Sequence, residues 1–115
     1  MRLIRRSDSA VIAERVETAR GLARRLVGLI GRREFAPGSA LMIPACGQVH
    51  TLLMRFPIDV LFMDAENRIL RAEPDVKPYG VTKHCRGARI VIELPAGTIA
   101  AHGLRPGDKI VMSDD

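Results

Sequence analysis

Hydrophobic positions along this chain come in short bursts, each closed by turn-forming residues, and the spacing inside each burst predicts its element. Residues 2–6 and 10–16 read as two short strands, with Ser7, Asp8 and Ser9 as a hairpin turn between them. Leu22, Leu26, Leu29 and Ile30 then recur at helical spacing. They predict a helix over 18–31 that Thr18 could open and that Gly31 ends. Pro37, Gly38 and Ser39 form a turn, and residues 40–43 make an apolar strand stopped by Pro44. Another strand covers 49–54, and Phe56-Pro57 bends the chain, because proline cannot donate to a ladder. From Asp59 to Met63 the residues are apolar at both parities, as in a central strand. Ala65, Glu66 and Asn67 turn the chain back into a strand over 68–72. The stretch 73–87 is irregular, broken by Pro74, Pro78, Gly80 and Gly87. Residues 89–94 form a strand, 96–102 a short helix closed by Gly103, and 109–112 a last strand.

Many short strands, two helices and short connections predict an α+β, β-rich fold. The expectation is a single compact domain over residues 1–115, with a strongly curved or barrel-like, mainly antiparallel sheet. No apolar run approaches the roughly 20 residues that a membrane-spanning helix needs. The basic N-terminus is followed by an apolar stretch, 10–13, too short for a signal sequence. The expected location is the cytoplasm, with no membrane partner.

Charge changes the picture in one place. The chain carries a net charge of +5. Residues 1–33 hold nine arginines and three acids, a net of +6, and the remainder nine bases and ten acids, a net of −1. A basic N-terminal third can attract nucleic acid or an acidic partner, although an arginine-rich helix face is more often simply solvated. Phe35, Phe56, Phe62 and Tyr79 are the only aromatics, too few for a base-stacking platform, so nucleic acid is not the favoured partner. Cys46 and Cys85 lie far apart and form no disulfide framework; in a cytosolic chain both are expected to be reduced.

Three segments carry a family resemblance. The first is Arg25-Leu26-Val27-Gly28-Leu29-Ile30-Gly31-Arg32. The second is Met54-Arg55, then Pro57-Ile58-Asp59-Val60 and Phe62-Met63-Asp64. The third is Val91-Ile92-Glu93-Leu94-Pro95-Ala96-Gly97, followed by Gly103 and Gly107-Asp108. In this order they resemble the domain of unknown function 192 family of small prokaryotic proteins. The chain departs from that pattern at Leu53, where the family often has an aromatic, and at Phe56, where it has asparagine. The resemblance implies a compact β-rich fold and implies no reaction.

The candidate chemistry gathers around residues 50–59. His50, Thr51, Arg55 and Asp59 set charge and hydrogen-bonding capacity inside an otherwise apolar run. Arg55 and Asp59 flank the Phe56-Pro57 bend and could pair across it. The guanidinium then either anchors a carboxylate or phosphate ligand or pins the turn. Glu93, set among Ile90, Val91, Ile92 and Leu94, is either exposed or buried with a partner. The favoured function is a non-catalytic binding module for a small anionic ligand or peptide, with His50, Thr51, Arg55, Asp59 and Glu93 as its residues. One alternative is an enzyme using Cys46 as nucleophile and His50 as base. The other is an interaction protein binding nucleic acid or an acidic partner through the Arg-rich N-terminal helix. Of the possible metal ligands, Cys46 and His50 have a tolerable spacing, but His84 and Cys85 are neighbours and would point to opposite faces of a strand, so no cofactor or metal is expected.

Overall fold

The computed structural model describes residues 1–18, 35–44, 56–78 and 82–114. Among them lie β1 (Arg2–Arg5), β2 (Ala10–Ala13), β3 (Arg15–Thr18), β4 (Ser39–Pro44), β5 (Ile58–Met63), β6 (Ile69–Val76), β7 (Ile90–Pro95), α1 (Thr98–His102) and β8 (Ile110–Ser113). The strands form two sheets. The smaller has the order β2-β1-β8 and is antiparallel throughout. The larger has the order β3-β4-β7-β5-β6 and is parallel only between β3 and β4.

The expectation of one barrel-like sheet with two helices is corrected here. Among the described residues the strands divide between two sheets that do not close into a barrel, and α1 is the one helix. The sheets meet at two corners. At one, Arg68 and Lys109 make a single isolated bridge. At the other, the strand expected over 10–16 breaks at Glu14. The N–H groups of Glu14 and Arg15 both donate to Gly38 O, at 2.8 and 3.0 Å. That shared acceptor turns the chain out of β2 and starts β3 in the other sheet. Thr18, expected to cap a helix, is the last residue of β3. The rest of the expected 18–31 helix and the expected 49–54 strand lie outside the described residues.

The hairpins follow local chemistry. Asp8 accepts the Ala10 N–H at 3.1 Å and Ser9 takes a positive φ of 60°, which together close β1 onto β2. In the β5–β6 turn, Asp64 Oδ1 accepts the N–H groups of Glu66 and Arg68, each at 2.9 Å. Asn67 there takes the left-handed conformation that a three-residue hairpin loop requires.

β5 is buried along its whole length, as its two-sided apolar sequence predicts. One face of the larger sheet, bearing Leu61, Met63, Ile92 and Leu94, packs on Leu3, Ile12 and Ile110 of the smaller sheet and on Ile99 of α1. The opposite face carries a second cluster, with Leu41, Ile43, Ile58, Val60, Phe62, Val91 and Cys85, flanked by Phe35 and Phe56. We call these the inner and the outer face.

β6 runs further than expected, through Pro74 to Val76. It is an edge strand, where a missing N–H is tolerated. Its pairing passes from Ile58↔Val76 to Val60↔Glu73, so two residues, Pro74 and Asp75, stand opposite Asp59. This is a bulge, and Asp75 adopts φ 55° within it.

Candidate functional site

The two acids expected in one site lie on opposite faces of the larger sheet. Asp59 pairs with Leu94 and faces inward, whereas Glu93 pairs with Val60 and Leu41 and faces outward. Residues at one pairing level share a face and successive residues alternate. Once β5 and β7 are paired in this register, the two carboxylates cannot converge.

Asp59 is fully buried, and both its oxygens accept backbone hydrogen bonds. Oδ1 takes the N–H of Asp75 at 2.9 Å, and Oδ2 takes the N–H of Ile99 at 2.8 Å. Each donor needs an outside partner. The bulge removes Asp75 N–H from the ladder, and Ile99 sits in the first turn of α1, where N–H groups have no partner within the helix. Gly97 occupies the cap position and makes no side-chain cap bond. Asp59 therefore serves two remote segments at once, joining β5 to the β6 bulge and to the start of α1.

Glu93 is 5% exposed in the middle of the outer face. Register sets it in a cross-strand row: Glu17 on β3, Leu41 on β4, Glu93 on β7, Val60 on β5 and Glu73 on β6. Glu73 lies 3.3 Å from Arg71. The Arg71 guanidinium stacks over the Phe62 ring at 4.3 Å and donates to Lys83 O, tying β6 to the loop before β7. At the other end of the row, Glu17 opens onto a cleft of about 220 Å³, lined also by Arg15, Phe35, Ser39 and Leu41. Arg15 is held there by bonds to Pro37 O at 2.8 Å and Ser39 Oγ at 3.4 Å. Phe35 and Phe56 lie 6.4 Å apart, tilted by 40°, against the same face.

His50, Thr51, Arg55 and Cys46 lie outside the described residues. Cys85 is a free, buried thiol in the outer cluster. Among the described residues, no three His, Cys, Asp or Glu side chains are grouped to hold a metal ion, and no helix is long and apolar enough to cross a membrane. Glu17, Arg15 and Phe35 escaped the sequence reading. The alternation in β3 was visible, but which strand lies beside it is a matter of tertiary pairing.

A second polar cluster closes the far end of the smaller sheet. Arg5 grips Asp8 with two bonds, at 3.1 and 3.0 Å, donates to His102 O, and lies 3.8 Å from Asp108. The Arg5 hydrogen bonds, helped by the Ala10 N–H, hold the Asp8 carboxyl below its ordinary value of 3.8. These contacts join the β1–β2 turn to the end of α1.

Comparison with known proteins agrees with the fold. A crystal structure of a "putative transcription regulator" from Sinorhizobium meliloti 1021 superposes with a TM-score of 0.79 at 26% identity, covering 96% of this chain and 89% of that one. A protein of unknown function from Novosphingobium aromaticivorans DSM 12444 superposes with a TM-score of 0.77 at 23% identity, covering 84% and 74%. No functionally curated protein matches the chain. Residues 3–112 match DUF192, described as an uncharacterized ACR, and the chain belongs to that family.

Proposed function

We propose that this protein is a non-catalytic binding module whose ligand is a small anion or a peptide, held in the cleft at the β3 end of the outer face. The observation that carries the reading is the cleft where Arg15 and Ser39 meet Phe35 and Leu41 at the end of the outer row, with Glu93 buried two strands along that row. A concave apolar surface with a few placed polar groups is the usual form of a small-ligand site. Arg15 supplies a cation in the cleft. Arg55 directly precedes Phe56, which packs on this face, and is the proposed anion anchor. His50 and Thr51 enter the proposal from the sequence alone. Asp59, through its two backbone bonds, fixes the start of β5 beside the site.

The test is a thermal-shift and calorimetric screen of carboxylates, phosphates and short peptides. A ligand at 100 times its Kd adds about 2.7 kcal/mol of stability. Arg55→Ala and Glu93→Gln should abolish that gain while leaving a folded protein. A gain that survives both substitutions would remove the outer face from consideration.

The name of the Sinorhizobium meliloti neighbour favours a second reading, a protein that binds nucleic acid. The +6 charge of residues 1–33 supports it. Steep dependence of binding on salt is its signature. An affinity for DNA that ignores ionic strength would end it.

A further inference from the structure

Arg6, Lys109 and Arg68 stand in one line at the ends of β1, β8 and β6, strands that belong to two different sheets. Arg6 donates its N–H to Lys109 O at 2.8 Å, extending the β1–β8 register one step past Arg5↔Ile110. Lys109 faces Arg68 across the isolated antiparallel bridge. The flanking bonds run from Ile69 N to Asp108 O and from Ile110 N to Asn67 O, both at 2.9 Å. Arg68 and Lys109 are therefore the non-hydrogen-bonded pair, the closer of the two kinds, at about 4.5 Å between Cα atoms with side chains on one face. Their chain neighbours Ile69 and Ile110 are buried in the inner cluster, so by alternation the row points outward. Arg6 and Arg68 are exposed.

Like charges directly opposite on neighbouring strands destabilise a sheet, and here there are three in succession. Two neighbouring acids, Asp108 and Asp64, are engaged elsewhere. Asp108 accepts the Arg105 N–H and lies beside Arg5, and Asp64 Oδ1 accepts two backbone N–H groups. Among the described residues, none of the three cations forms an ion pair. The fold thus carries a repulsion on its surface that a bound polyanion would relieve.

We infer that the Arg6–Lys109–Arg68 row is a docking line for the phosphate backbone of a nucleic acid. Steps of about 5 Å from strand to strand make a linear array of charge. Such an array suits a polymer of regularly spaced phosphates. The row contains no aromatic side chain for base stacking and no apolar anchor for a membrane interface. Contacts of this kind position a nucleic acid without reading its sequence. The kind of partner rests on the second reading above; the surface stands on the register alone.

The experiment measures binding of the full chain to a labelled duplex and to a labelled single strand by fluorescence anisotropy, between 50 and 200 mM salt. The wild type is compared with the triple variant Arg6→Gln, Arg68→Gln, Lys109→Gln. Three phosphate contacts contribute a slope of about 2.7 in log Kd against log salt on duplex DNA, or roughly 40-fold across that range. The variant should lose that share of the slope and keep or raise its melting temperature, since only like charges are removed. Lys109→Gln alone should remove about a third of the effect. An unchanged slope in the triple variant overturns the docking line and leaves the nucleic-acid reading standing. Failure of the wild type to bind either nucleic acid overturns both. Binding only to vesicles containing anionic lipid overturns the choice of partner.

Discussion

Asp59 and Glu93 are both acids, both buried, and one pairing level apart in the same two strands, yet they face opposite environments. Asp59 looks inward, where each oxygen meets a backbone N–H that nothing else satisfies. Glu93 looks outward, in a row that ends at an open cleft. The contrast shows what burial alone fails to reveal. A carboxylate whose oxygens are both taken by orphaned main-chain donors is part of the scaffold. Glu93 also has a partner within the protein, so what distinguishes it is its place in the row that leads to the cleft.

Substitutions can break this comparison. Asp59→Ala should have the largest effect. It leaves the Ile99 N–H buried without an acceptor and removes the part-buried bond from Asp75, and loss of two charge-assisted bonds costs about 3–5 kcal/mol. Urea unfolding would measure this, and a loss below about 1 kcal/mol would mean that water replaces the carboxylate. Asp59→Asn keeps one acceptor and turns an amide N–H toward the other donor, so about half that loss is expected. Glu93→Gln preserves shape and keeps one acceptor oxygen while removing the charge. It should cost no more than about 1–2 kcal/mol while removing ligand-induced stabilisation. If Glu93→Gln proves as damaging as Asp59→Ala, both acids belong to the scaffold and the outer face loses its claim.

The smallest effect concerns pH. The Asp8 carboxyl is held below its ordinary value of 3.8 in the folded protein. Its contribution is therefore fully present above about pH 4 and is lost as the pH falls through the lowered value. Asp8→Asn should lower the melting temperature slightly at neutral pH, and the difference should shrink as the pH falls below 3.8. A difference between the two proteins that does not shrink with acid would show that Asp8 acts through the turn geometry alone. Asp8 is exposed, so the change is small.

Much of the local structure was legible in the sequence. β5 announces itself as a strand buried on both faces, because its residues are apolar at both parities. The turns at Ser7-Asp8-Ser9 and Ala65-Glu66-Asn67 follow from side chains that bond their own backbone and tolerate a positive φ. The helix expected over 96–102 is present as Thr98–His102, closed at Gly103. Errors arose where local pattern is silent. The break at Glu14 comes from Gly38, which is remote in sequence. Pro74 reads as an interruption until β6 is known to be an edge strand with a bulge.

The candidate site was less legible for the same reason. Asp59 and Glu93 could be singled out as polar residues in apolar runs, and both are buried. Their division between two faces depends on register. A slip of one residue in one strand would turn its side chains to the other face. By itself, the sequence determined most of the strands and turns among the described residues, because alternation, branching and turn chemistry act within a few residues. Only the tertiary structure decided which strands are neighbours, which face each acid serves, and that Arg6, Lys109 and Arg68 fall into one line. Those outcomes depend on pairing between segments as far apart in sequence as Arg6 and Lys109.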